Sequence, residues 1–221
     1  MTDLSYEIVY SSRKTVALSL NKDGALIVRA PFHVSRAVIE DVVYRHREWI
    51  ADKQQKLAAE KATFPTFGIA DGAILPYFGG RLTIRMTEHS ELRMSGNELL
   101  LPPLVAELEL TAWLKARLRP VLEEFVERFS RQMDVQPAGL TVTSAKTRWG
   151  SCSPANRLSF SFRLVFCPLE VIEYVVVHEL AHIRYKNHGR QFWRQVASIL
   201  PDYGLRREFL KQNARLMDIL A

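Results

Sequence analysis

The chain has 221 residues, of which 48% are hydrophobic, 24% charged and 10% aromatic. That composition excludes a disordered, collagen-like or disulfide-stapled polypeptide and gives one large domain or two small ones with their own cores. Two cysteines, Cys152 and Cys167, suit a reducing compartment, and 30 basic against 24 acidic residues leave a net charge of +6 that favours an anionic partner.

Residues 4–30 read as β-structure. Tyr6, Ile8 and Tyr10 alternate with polar neighbours, as do Val16, Leu18 and Leu20, and Asp23-Gly24 marks a tight turn before a strand that ends at Pro31. Asp3, Glu7 and Asp23 lie in this stretch with no basic segment leading into an apolar one, so no signal peptide is expected. Ser35 is an N-cap candidate for a long helix over 36–61, with Val38, Ile39, Val42, Val43, Trp49 and Ile50 as its apolar stripe. Pro65, Gly68 and Asp71-Gly72 break the pattern, and 73–101 reads as strands with turns at Gly79-Gly80 and Ser95-Gly96-Asn97. Pro102-Pro103 is the expected boundary between a β-rich N-terminal region with one long helix, 1–103, and a C-terminal domain, 104–221.

Beyond it, 104–132 reads as a helix that Pro120 kinks or splits. Residues 140–146 and 157–165 alternate as strands around a loop with Gly150, Pro154 and Asn156. A helix follows from Pro168 to about 187, then helices near 190–200 and 205–220. Together these elements predict an α+β fold. Apolar runs such as Val175-Val176-Val177 fall far short of the roughly 20 residues that span a bilayer. A cytoplasmic protein without a membrane partner is expected.

The chemistry concentrates in His178-Glu179-Leu180-Ala181-His182. On a helix, His178 and His182 share one face and can grip one metal ion, while Glu179 reaches a water beside that ion as a general base. This is the H-E-x-x-H arrangement of zinc peptidases. Zinc is the expected metal, although nickel and cobalt also accept three imidazoles. A third protein ligand should be near. His188 would sit about 240° past the metal face on a straight helix, so it ligates only if the helix ends, and Asn187 and Gly189 tolerate the left-handed backbone that would end it. Glu208 and Asp202 are the carboxylate alternatives; His33, His46 and His89 read as structural or solvated.

Three blocks of residues resemble the YgjP-like family of metal-dependent hydrolases, relatives of the SprT and WLM-type zinc metallopeptidases. They are 174–182 with Asn187-His188 and Phe192-Trp193; Arg148-Trp149-Gly150-Ser151-Cys152-Ser153; and Arg13-Lys14-Thr15 with Val28-Arg29-Ala30-Pro31 and Trp49-Ile50. The resemblance implies a zincin-like catalytic domain behind a smaller β-rich part, with His178, His182 and His188 on the metal. One family assignment implies hydrolysis of UTP.

Arg148, Tyr185 and Tyr203 are candidates for holding substrate or steadying an oxyanion, whereas Trp149 and Cys152 read as packing residues. Eight basic residues between 184 and 215 face only Asp202 and Glu208, a patch that suits a nucleotide or nucleic acid if it is not simply a solvated face. No phosphate-binding G-x-x-x-x-G-K-[ST] loop is present. The expected function is a zinc hydrolase, foremost a metallopeptidase acting on polypeptide. The alternatives are a metal-dependent nucleoside triphosphate pyrophosphatase acting on UTP and a nucleic-acid-binding module with a structural zinc. For a peptidase, residues 157–165 or the partner strand 141–146 should offer the sheet edge on which an extended substrate pairs.

Overall fold

A computed structural model describes residues 5–21, 24–63, 69–88, 91–102 and 107–220. Asp23, Pro65, Gly68, His89, Pro103 and the expected helix start at 104 lie outside the described residues. The fold is α+β, divided into two compact units, Met1–Thr66 and Phe67–Ala221.

In the first unit, β1 (Tyr6–Ser11), β2 (Ala17–Leu20) and β3 (Leu26–Pro31) form a sheet of order β1-β3-β2. The pairing is parallel between β1 and β3 and antiparallel between β2 and β3. The central strand buries Leu26, Val28 and Ala30 at alternate positions. The expected single helix is two, α1 (Arg36–Arg45) and α2 (Arg47–Thr63). The break is at His46. Its Nδ1 lies 2.8 Å from the Val42 carbonyl, the acceptor that a continuing helix would give to the His46 N–H alone. Ser35 accepts the Val38 and Ile39 N–H groups on its carbonyl, but its hydroxyl makes no capping bond. The stripe is narrower than expected: Ile39, Val43 and Ile50 are buried, whereas Val38 and Trp49 are exposed.

The second unit opens with β4 (Ile74–Tyr77), β5 (Gly80–Met86), β6 (Arg93–Ser95) and β7 (Glu98–Leu101), in sheet order β4-β5-β7-β6. Phe78 and Gly79, both at positive φ, make the two-residue turn between β4 and β5. Helix α3 (Glu107–Met133) runs through Pro120 without splitting. Leu110, Leu114, Leu118, Leu122, Phe125 and Phe129 bury one face on both sides of the proline, and that burial outweighs the cost of an interior proline, about 3 kcal/mol for its missing N–H and ring clash together.

A third sheet holds β8 (Gly139–Thr143), β9 (Gly150–Cys152) and β10 (Arg157–Ser161), in order β8-β10-β9. The expected strand over 157–165 stops at Ser161, whose hydroxyl accepts the Arg163 N–H and starts a 3₁₀ turn, Phe162–Phe166. Then come α4 (Leu169–Arg184), α5 (Arg190–Ile199), α6 (Tyr203–Gln212) and a final 3₁₀ turn, Ala214–Asp218, where one helix to 220 was expected.

One core joins Leu82, Ile84 and Leu99 of the second sheet to Leu114 and Leu118 of α3 and Val176 and Val177 of α4. The strands of 74–101 thus share a core with the C-terminal helices, and the compact units divide at 66–67 rather than at Pro102-Pro103. Among the described residues no helix is long and apolar enough to cross a membrane.

Arg163 is the largest fully buried side chain among the described residues. Its guanidinium donates to the carbonyls of Ser144, Ala145, Ile219 and Leu220, tying the chain's last residues to the segment after β8. Arg163→Met leaves these carbonyls without their donor and should cost about 3 kcal/mol, read as a lower urea midpoint at unchanged slope.

Candidate metal centre

Helix α4 buries Val175, Val176, Val177, Leu180 and Ala181 on the faces that meet the core. The four-residue spacing leaves His178 and His182 on one remaining face, ring centroids 5.1 Å apart. The helix ends at Tyr185, an extended residue whose carbonyl lies 3.0 Å from His182 Nδ1. Asn187 and Gly189 do not adopt the left-handed backbone expected of them. The extended exit at Tyr185 suffices to turn the chain back, and His188 Nε2 comes to 3.0 Å from His178 Nε2. Phe192, fully buried at the start of α5, floors the cluster at 4.7–4.9 Å from all three imidazoles.

His178, His182 and His188 each offer one nitrogen within 4.8 Å of the others. Tetrahedral zinc with Zn–N near 2.0–2.1 Å sets ligand nitrogens about 3.3 Å apart, so the donor set fits such an ion with small movements. The Tyr185 carbonyl occupies His182 Nδ1 and leaves Nε2 for the centre. Burial, then the other two histidines and Arg207, push the His178 pKa down to about 3. Burial also lowers His182, against the pull of the Tyr185 carbonyl. Neutral imidazole is the form that ligates. Glu208 pairs with Lys211 and Asp202 with Arg206, and neither belongs to the cluster. His33 and His46 lie in the other compact unit.

Glu179 is buried at 6% exposure, and burial raises its pKa to about 7 against the opposing charge of Arg148. A nearby dication would draw it down again. Gly150 in β9 makes its room. A Cβ on Gly150 would lie 2.8 Å from Glu179 Cγ and 2.9 Å from Oε1, closer than atoms pack. Sequence reading placed Gly150 in a loop and missed this contact; an absent side chain leaves no signal.

The sheet edge beside Glu179 is also not the one expected. β10 is the central strand, parallel to β8 and antiparallel to β9, so Ser159 and Ser161 are not edge positions. Thr141 and Thr143 lie on the β8 edge, and the edge that meets Glu179 is β9.

Tyr203 stacks on Trp193 at 5.4 Å, and Trp193 lies 5.7–5.8 Å from His188 and His178. Arg207 sits over the same indole at 5.1 Å. Sequence reading singled out Trp193 only within the family resemblance and Arg207 only within the basic run, not as neighbours of the histidines. Tyr185 contributes its carbonyl. Cys152 is half-buried, its thiol pKa raised chiefly by burial, which suits packing rather than reactivity. In the basic run, Arg206 is paired with Glu173 and Asp202, Arg184 with Asp134, and Lys186 donates to Asn156.

The family model described as "YgjP-like, metallopeptidase domain" matches residues 14–213. The chain belongs to the YgjP-like family. That membership makes its class a metal-dependent peptidase, a hydrolase whose substrate is polypeptide. A crystal structure of the metallopeptidase zymogen of Pyrococcus abyssi abylysin aligns with 41% of this chain and 93% of its own, at a TM-score of 0.38 and 18% identity. No curated protein matches the chain.

Two predictions follow the geometry. His188→Ala should weaken binding of one zinc ion at least a hundredfold, whereas His33→Ala and His46→Ala should leave it unchanged, measured by competition with a chromogenic chelator. Gly150→Ala should retain zinc, yet lose at least tenfold in turnover. Zinc content and cleavage of an unfolded protein, measured side by side, check this.

Proposed function

We propose that the chain is a zinc peptidase in which His178, His182 and His188 hold the ion and Glu179 is the general base. The observation that carries this is the convergence of three imidazoles, those of His178 and His182 held toward the neutral form by burial, beside one buried carboxylate. Zinc, when bound, supplies Lewis acidity that lowers the pKa of a water toward about 7 and polarises the scissile carbonyl.

The remaining work falls to the chain's own residues. Glu179 takes the proton of the attacking water on a carboxylate oxygen and returns it to the leaving amine nitrogen. Gly150 keeps that carboxylate in reach by leaving space for it. Tyr203, fixed against Trp193 beside the imidazoles, donates its hydroxyl to the oxyanion. An extended polypeptide adds to the free edge of β9 through main-chain hydrogen bonds, which brings one peptide bond to Glu179.

Glu179→Gln keeps the shape and cannot accept the proton. It should bind zinc as the parent does and lose at least a thousandfold in cleavage of unfolded protein, followed by gel and mass spectrometry. Unchanged cleavage would remove Glu179 from its role. Turnover of UTP by a zinc-loaded parent that leaves polypeptide intact would overturn the peptidase reading in favour of the pyrophosphatase.

A further inference from the structure

The faces of β9 alternate. Gly150 turns toward α4 and Glu179, so Ser151 points to the opposite face of the sheet. There it stands beside Ser159, its antiparallel partner on β10. Ser161 and Thr143, paired across β10 and β8, continue the same face. With Ala145 and Arg148, these residues line a cleft of about 400 Å³. That is the lower end of small-ligand pockets, large enough for one side chain and its waters.

The hydrogen-bonding inventory defines what the cleft accepts. Ser161 spends its proton on the Ala145 carbonyl, and Thr143 spends its own on the Phe160 carbonyl. Three donor groups are left: the hydroxyls of Ser151 and Ser159 and the guanidinium of Arg148. None of the three makes a hydrogen bond or an ion pair within 4 Å among the described residues, although the Arg148 charge also acts on Glu179. Among the described residues no carboxylate lines the cleft. An apolar or cationic occupant would leave these donors unanswered, whereas a carboxylate accepts from all three and matches the guanidinium fork.

The cleft is also in the right place. A strand added to the edge of β9 sends successive side chains to opposite faces at about 3.3 Å per residue. The residue on the Ser151 face therefore adjoins the one presented to Glu179. We propose that this cleft is a specificity subsite for an acidic side chain of the substrate, its carboxylate held by Arg148, Ser151 and Ser159. The proposal rests on the peptidase reading and names the class of polypeptide that reading leaves open: chains with Asp or Glu next to the cleaved bond.

The test uses the full-length, zinc-loaded protein. Cleavage products of an unfolded protein, mapped by mass spectrometry, should show Asp and Glu enriched at one position adjoining the cut. Matched peptides with Glu, Gln or Lys at that position should then differ in kcat/KM, with Glu preferred over Gln by about tenfold. Arg148→Gln should bring the Glu-to-Gln ratio close to one, and Arg148→Glu should favour Lys. Arg148→Lys keeps the charge without the fork and should retain only part of the preference. Ser151→Ala and Ser159→Ala should each reduce the ratio a few-fold, and they provide a second route should the Arg148 variants fold poorly. Loss of Arg148 also acts on Glu179, but it does so for every peptide alike, so the ratio isolates the subsite. Equal kcat/KM for Glu and Gln peptides in the parent, or a parental ratio in Arg148→Gln, overturns the proposal while the peptidase reading stands. A parent that cleaves none of the peptides and no unfolded protein overturns the peptidase reading itself.

Discussion

Helix α4 carries a carboxylate and two imidazoles on a helix whose other faces are closed by Val175, Val176, Val177, Leu180 and Ala181. Burying ionisable groups disfavours their charged forms, and each group here responds as that predicts. Glu179 moves up and the two imidazoles move down. The shifts make the histidines electron-pair donors rather than cations. His178 Nδ1 is buried without a hydrogen-bond partner among the described residues, while His182 Nδ1 meets the Tyr185 carbonyl and His188 Nε2 meets His178 Nε2. An ion held by the three imidazoles would link metal binding to the folding of this region.

The Arg148 to Ser153 block complements that helix. Its short strand turns a glycine toward Glu179 and a serine toward the outer cleft. A larger residue at Gly150 would displace the carboxylate, and a longer strand would not be needed to do the work. The segment after β8 must cross β10 to reach β9, and that crossing places Ala145 and Arg148 over the outer face. Arg163 fixes the crossing from beneath through the Ser144 and Ala145 carbonyls. Core, carboxylate and cleft are thus coupled through about twenty residues.

Much of this was legible in the sequence because it rests on periodicity. The four-residue spacing of His178 and His182, the alternation of Leu26, Val28 and Ala30, and the strands of 74–101 needed only local pattern. What was missed depends on contacts. At the His46 break a ring nitrogen shares the Val42 carbonyl with the backbone N–H, a contact that no periodicity displays. The continuity of α3 through Pro120 comes from tertiary burial overriding a local breaker. β9 has three residues, too few to display an alternation. The division at 66–67 instead of Pro102-Pro103 follows from a core shared by strands and helices far apart in sequence. His188 was identified on chain proximity, and its approach to His178 came from an extended exit at Tyr185 rather than a left-handed turn.

The charge balance of the site explains why an anionic substrate belongs there. Three neutral imidazoles leave a bound dication its full charge, which a carboxylate ligand would have partly cancelled. Glu179 offsets one unit, and Arg148 and Arg207 stand on either side, at the Glu179 carboxylate and over Trp193. Such a site is net positive when loaded. That field opposes binding of the ion, which the closely placed imidazole nitrogens must overcome, and it stabilises the negative charge that develops on the attacked carbonyl. It also sets the sign of the side chain that can approach. The neighbouring basic residues Arg184 and Arg206 are tied into ion pairs with Asp134, Glu173 and Asp202. Arg148 and Arg207, by contrast, form no ion pair within 4 Å among the described residues, so their charge is left to act on Glu179 and His178.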